Sequence, residues 1–148
     1  MRISAKARYG LAASIYMAQK YNAGEQITVI SISEKLKISK IYLEQVFSLL
    51  KRAGIVISAK GSQGGYRLAR KPSEISAFDI LSSIEAGLFE KTAETVLKSN
   101  KTIEETMWET VFNGINNSIK NILSKISLQE LLSKMEKKSA EDGYMYYV

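Results

Sequence analysis

Residues 31–70 read SISEKLKISKIYLEQVFSLLKRAGIVISAKGSQGGYRLAR, and the order of signals within them decides the fold. Ser31-Ile32-Ser33-Glu34 has the spacing of a capping box, in which the Ser31 hydroxyl accepts from the Glu34 amide while the Glu34 side chain reaches back. That spacing predicts a short helix starting at Ile32 and ending near Ile38. Ser39 then stands before a second helix, whose Leu43, Val46, Phe47 and Leu50 fall at i, i+3, i+4 and i+7 as one apolar stripe, and Gly54 stops it at the C′ position. The opposite face carries Lys40, Tyr42, Glu44, Gln45, Ser48 and Lys51, long and polar enough to reach base edges from a major groove. Two short β-branched or aromatic runs follow, Ile55-Val56-Ile57 and Tyr66-Arg67-Leu68, around Gly61-Ser62-Gln63-Gly64-Gly65, which predicts a hairpin with a flexible tip. Helix, helix and basic hairpin in that order spell a winged helix-turn-helix. The same elements also suit a small α+β core with a solvated basic surface.

Charge distribution favours the first reading. Residues 1–72 hold 13 Lys or Arg against three acids, a net of +10, whereas residues 73–148 hold eight against 12, a net of −4. Counterion release needs local positive charge, so the field belongs to the helix-turn-helix half, where Lys60, Arg67, Arg70 and Lys71 flank the hairpin and Arg2, Lys6 and Arg8 open the chain. Acids suit a helix start better than cations do, so that basic opening points to phosphate contact or to a solvated basic end. The chain has no cysteine and no histidine, which removes disulfides, thiolate clusters and the usual triads, and leaves its serines without an activating base. No run of about 18 apolar residues is present. Met1 to Ser14 lacks a signal-peptide core, so a cytoplasmic protein without membrane partners is expected.

Beyond the core motif, Ala7, Leu11, Ile15 and Ala18 predict a first helix from Ser4 to Tyr21, ended by Asn22-Ala23-Gly24. Pro72-Ser73 marks a break. Ser76 caps a helix to about Ala86 that turns Phe78, Leu81, Ile84 and Ile80 inward and stops at Gly87. Residues 88–102 are polar and weakly periodic, a connector. Ile103, Met107, Val111, Ile115, Ile119 and Ile122 then recur over a long helix, with Trp108 and Phe112 widening the stripe. Such a stripe is buried either on its own domain or against the same helix of a second copy, and a two-fold dimer would present two recognition helices to a palindromic site. Ser127-Leu128-Gln129-Glu130 opens a last helix with Leu128, Leu131, Leu132 and Met135 apolar. A turn at Ser139 to Gly143 and an exposed tail, Tyr144-Met145-Tyr146-Tyr147-Val148, are expected after it.

Arg8-Tyr9-Gly10-Leu11, Tyr42-Leu43-Glu44-Gln45, Lys60-Gly61 with Gly64-Gly65-Tyr66, and Ile126-Ser127-Leu128 together resemble the bacterial winged-helix regulators that include the iron–sulfur cluster regulator IscR, the nitrite-sensitive repressor NsrR and the cysteine metabolism repressor CymR. The resemblance spans essentially the whole chain. It implies a homodimer in which the 103–123 helix crosses its mate, with DNA read by the helix after Ser39 and by the wing. Cluster-binding relatives place three cysteines between the fourth helix and the dimer helix, often with a histidine before the tryptophan; here residues 87–104 hold no cysteine and Glu105 stands three before Trp108. An iron–sulfur cluster, and any other cofactor, is therefore not expected. The chain is most similar to the cluster-free CymR subgroup, whose members end in a comparable aromatic tail, and this implies cysteine synthase as a partner of Tyr146, Tyr147 and Val148.

The expected fold is mainly α with a small β-hairpin wing: a winged helix-turn-helix over 1–72, then a linker, a dimerisation helix and a C-terminal helix with tail over 73–148. Expected DNA contacts are Arg2, Lys6, Arg8, Ser39, Lys40, Tyr42, Glu44, Gln45, Lys60, Ser62, Gln63 and Arg67. Glu44 is either a specificity filter at cytosine N4 or an i+4 partner of Lys40 or Ser48, and Ile41 suits a thymine methyl. The dimer interface is expected at Ile103, Met107, Trp108, Val111, Ile115, Ile119 and Ile122. The expected function is a homodimeric, sequence-specific transcriptional repressor of cysteine or sulfur metabolism genes, not an enzyme. The alternatives are a regulator sensing another signal through residues 88–102, or a basic scaffold that binds protein or RNA without reading DNA sequence.

Overall fold

The computed structural model describes residues 2–61, 64–91, 93–96 and 98–146. Its elements run α1 (Ala5–Lys20), α2 (Val29–Leu36), α3 (Lys40–Arg52), β1 (Val56–Ser58), β2 (Tyr66–Leu68), α4 (Ala77–Ile84), α5 (Lys101–Met107), a π-turn (Trp108–Phe112), α6 (Asn113–Ser124) and α7 (Leu128–Tyr146). The mainly α fold with a β-hairpin wing stands as expected.

The core forms around α3. Leu43, Val46, Phe47 and Leu50 have no solvent exposure, and Met17, Ile32, Ile55, Ile75, Ile80 and Leu128 close around them. At roughly 1.5–3 kcal/mol for each large side chain buried, this cluster is the main force holding the helices together. α1 meets it along a face different from the Ala7, Leu11, Ile15, Ala18 stripe: Ala7, Gly10, Ala13, Ser14, Met17 and Ala18 are buried, while Leu11 and Ile15 are only half-buried. Small residues dominate that face because α1 lies close against α3 and α4. A Cβ on Gly10 would overlap Ile84 Cδ1 and stand 3.2 Å from Val46 Cγ1. Ser14, the one buried polar side chain among the described residues, donates to the Gly10 carbonyl at 2.7 Å.

Several boundaries differ from the sequence reading. α2 begins at Val29, not Ile32, because Thr28 is the cap: its hydroxyl accepts from Ser31 N–H at 3.1 Å, and Ser31 Oγ donates back to the Thr28 carbonyl at 2.8 Å. The helix ends at Leu36, with Lys37 left-handed at φ 56°. Ser39 occupies the N-cap of α3 without a side-chain capping bond. The first strand is shifted by one residue, to Val56–Ser58, and pairs Val56 with Leu68 and Ser58 with Tyr66. α4 stops at Ile84 rather than Ala86, and its capping box is Ser76 with Asp79. Gly87 lies in a 3₁₀ turn, Ala86–Leu88, beyond the helix it was expected to end. Ile80 and Leu81 are buried there, but Phe78 and Ile84 only half so. No turn interrupts 139–143; α7 continues through Gly143 to Tyr146.

Two long-range bridges set the halves in place. Ile27 pairs with Tyr66 (N–H to carbonyl, 2.9 and 2.8 Å), which attaches the chain before α2 to the wing. Ala77 N–H donates to the Ile126 carbonyl and Leu128 N–H to the Ile75 carbonyl, both at 2.8 Å, which joins the start of α4 to the start of α7.

The crossing at Gly10 yields a direct test. Gly10→Leu adds volume where Val46 and Ile84 leave none, and overpacking of this kind costs about 1–3 kcal/mol. Thermal unfolding followed by circular dichroism should show a Tm lowered by roughly 5 °C, at about 2–4 °C per kcal/mol for a chain of this size; an unchanged Tm would mean that α1 and α4 are not in close contact.

Candidate nucleic-acid interface

Burial of one α3 stripe turns the rest of that helix outward. Lys40, Ile41, Tyr42, Glu44, Gln45, Ser48 and Lys51 are all exposed, Ile41 by 68% and Tyr42 by 50%. Two large apolar or aromatic side chains facing water beside amides and cations suit a surface that meets base edges and methyl groups. Glu44 forms an ion pair with Lys40 at 3.6 Å, with both side chains 55% exposed. A pair so solvated contributes little stability, so Glu44 remains free to exchange its partner.

The wing stands beside α3 because Tyr66 is held from two sides. Its ring lies 4.8 Å from Phe47, and its backbone pairs with Ile27. Gly65 makes that approach possible: it sits at φ 128°, and a Cβ there would be 3.1 Å from the Ile27 carbonyl oxygen. Gln26 Nε2 donates to the Lys60 carbonyl at 3.4 Å, a further tie between the wing and the start of α2. Lys60 and Arg67 are exposed on the wing, as expected of phosphate or minor-groove contacts. Ser62 and Gln63 at the tip lie outside the described residues. Arg70 is engaged elsewhere, donating to the Glu74 carbonyl at 3.2 Å and standing 4.0 Å from Asp79, so it braces the base of the wing.

α1 brings the third basic group. Its Tyr9 ring lies 6.0 Å from the Tyr42 ring, which sets the first turn of α1 next to the start of α3. Arg2 and Arg8 are exposed and Lys6 half-buried. The sequence reading missed the contacts that make this arrangement: the Ile27–Tyr66 bridge, the Tyr9–Tyr42 contact and a bond from Ser4 N–H to Glu85. Only the last had a local signal, since α1 starts with cations and no acid in its first turn.

The long helix, 101–124, presents two faces. Ile103, Val111, Phe112, Ile115 and Ile122 are exposed, by 51% for Ile115 and 60% for Ile122. Met107, Trp108 and Ile119 are half-buried. α6 packs against α4, where Lys120 Nζ lies 5.4 Å from the centre of the Phe78 ring. Four-residue steps overshoot a full α-turn by about 40° each, and the wider π-turn at Trp108–Phe112 takes back part of that drift, so one apolar stripe survives across the helix. The preceding connector is tied to this helix by Glu104, which accepts from Val96 N–H at 3.1 Å and Thr95 Oγ1 at 3.3 Å. Lys91 Nζ lies 5.4 Å from the Trp108 ring centre. Tyr146 closes α7, while Tyr147 and Val148 lie outside the described residues.

Comparison with known proteins settles the family. Rrf2, described as an iron-dependent transcriptional regulator, matches residues 3–134. The chain belongs to the Rrf2 family. It is 32% identical over 148 residues, the full length of both chains, to the HTH-type transcriptional regulator CymR of Bacillus subtilis. It is also 32% identical over 145 residues to IscR of Aliivibrio salmonicida, covering 96% of this chain and 83% of that one. Among solved structures, CymR, titled the global cysteine regulator of B. subtilis, superposes with a TM-score of 0.72 at 32% identity, over 90% of this chain and 98% of that one. T. potens IscR gives 0.72 at 31% identity, over 99% and 97%. The similarity thus reaches both the CymR and the IscR branches, and these relatives are regulators, not enzymes. An iron–sulfur cluster does not fit the residues here, since the chain has neither thiolate nor imidazole to ligate one. Among the described residues, no cluster of acidic side chains replaces them. Nor is any helix among those residues long and apolar enough to cross a membrane.

The two kinds of basic and polar contact are separable by mutation. Gln45→Ala should weaken binding to a specific duplex by roughly 1–3 kcal/mol and leave binding to random duplex nearly unchanged. Lys6→Ala should weaken both alike and lower the salt slope by about 1. Fluorescence anisotropy on paired duplexes measures each, and equal losses for Gln45→Ala would remove α3 from base reading.

Proposed function

We propose that the protein is a homodimeric transcriptional repressor that reads a palindromic operator, without an iron–sulfur cluster, and controls genes of cysteine or sulfur metabolism from the cytoplasm. The observation that carries this reading is the single surface shared by the exposed face of α3, the wing residues Lys60 and Arg67, and the basic start of α1. Full-length similarity to CymR supports the choice of pathway, and the missing ligands separate the chain from cluster-dependent relatives. Arg2, Lys6, Arg8, Ser39, Lys40, Lys60, Ser62, Gln63 and Arg67 then serve the phosphates and the minor groove, while Tyr42, Glu44 and Gln45 select bases.

The dimer follows from the exposed stripe on the long helix. Ile103, Val111, Phe112, Ile115 and Ile122 form an apolar face that a two-fold mate would cover with the same face. Met107, Trp108 and Ile119 flank it, partly packed within their own chain. Two recognition helices on one body bind a palindrome with the avidity of paired half-sites. The tail at 146–148 is assigned to cysteine synthase, since a terminal carboxylate behind aromatic side chains is a compact recognition element.

Ile115→Asp places an unpaired charge in that interface, so light scattering should report a monomer, and operator affinity should fall by about 100-fold or more as the second half-site is lost. A dimeric Ile115→Asp protein would relocate the interface. A chain ending at Met145 should remain dimeric but no longer co-purify with cysteine synthase; retained co-purification would remove the tail from that role.

A further inference from the structure

Glu85 is the joint at which α4 ends and the connector begins: its N–H donates to the Leu81 carbonyl at 2.9 Å, and its carbonyl accepts from Leu88 N–H at 3.0 Å. Its carboxylate reaches back across the chain to Ser4, whose N–H donates to both oxygens at 3.3 and 3.4 Å. Ser4 also caps α1 through its hydroxyl, which accepts from Ala7 N–H at 3.1 Å. The preceding residue, Ile84, packs against Gly10. The end of α4 thus grips α1 at its cap and again further along the helix. α1 has no acid in its first turn, so Glu85 supplies from another element the anion that a helix start favours.

The consequence lies in the arm. Arg2 is exposed just before Ser4, and Tyr9 against Tyr42 sets this end of α1 beside the recognition helix. An arm already held at Ser4 gives up less conformational freedom when it meets a phosphate than a free one does. We infer that Glu85 is a positioning residue for DNA binding, an acid on a basic face whose carboxylate holds Ser4 so that Arg2 meets the phosphate backbone. This rests on the proposed DNA-binding function. It also carries a sign opposite to simple electrostatics, because an acid near a polyanion opposes binding on charge alone.

The test separates reach from charge. Glu85→Asp keeps the charge but shortens the side chain by a methylene, and Glu85→Gln removes the charge but keeps an acceptor at the same reach. Full-length wild type, both variants, Arg2→Ala and the Arg2→Ala/Glu85→Asp double variant are titrated over a salt series against a random duplex and a palindrome selected from genomic DNA. Glu85→Asp should bind both duplexes about fivefold more weakly, with a salt slope lower by about 1, as for loss of one phosphate contact. Arg2→Ala should behave the same, the double variant no worse than either, and Glu85→Gln should stay within about twofold of wild type. Wild-type affinity in Glu85→Asp with tighter binding in Glu85→Gln would overturn the inference in favour of bulk charge. An equal loss from Arg2→Ala in both backgrounds, or none in the wild type, would overturn it as well, while palindrome-specific binding by the wild type would leave the functional reading standing. A wild type that prefers no duplex overturns that reading and the inference together.

Discussion

The burial of Leu43, Val46, Phe47 and Leu50 along one side of α3 is the constraint on which the rest depends. With that stripe fixed in the core, the opposite side has no freedom of rotation, and Tyr42, Gln45 and Lys40 must face outward together. Phe47 has a second task. Its ring packs on Tyr66, so the side chain that phases the recognition helix also seats the wing. The spacing between helix and wing is therefore set by core packing rather than by a flexible loop, which suits a surface that must match groove geometry before any base is read.

What could be read from the sequence depended on whether the deciding interaction was local. α3 was fully legible, because a complete i, i+3, i+4, i+7 stripe sat between Ser39 and Gly54. α2 was placed too late because Ser31 and Thr28 both stand at capping distance from a later residue. The choice fell to Thr28, next to Ile27, which pairs with the distant Tyr66. α7 was cut short at Gly143, whose helical cost of about 1 kcal/mol relative to Ala is small enough for a helix of this length to carry. The stripe of α1 was misjudged because small residues, Ala7, Gly10, Ala13 and Ser14, occupy its tightest face, and a search for large apolar residues passes over them.

The candidate interface divides in the same way. Lys40, Tyr42, Glu44, Gln45, Lys60 and Arg67 were identified as exposed polar residues on recognisable elements, and they lie on the surface. The bond between Ser4 and Glu85 joins residues 81 apart, and no local pattern announces it. Arg70 shows the converse: its charge suggested a phosphate contact, but Asp79 and the Glu74 carbonyl occupy it. The long helix combined both situations. Its apolar rhythm was visible, yet the π-turn that keeps the stripe aligned arises from helix geometry that residue spacing alone does not display.

The central claim is sequence readout by the outward face of α3, and the most direct measurement is sequencing of the genomic fragments that the purified, full-length protein selects under near-physiological salt. The account predicts enrichment of one inverted repeat, with two half-sites separated by about one helical turn or a multiple of it, as a two-fold pair of recognition helices requires. Fragments recovered in proportion to their abundance, with no shared motif, would contradict it.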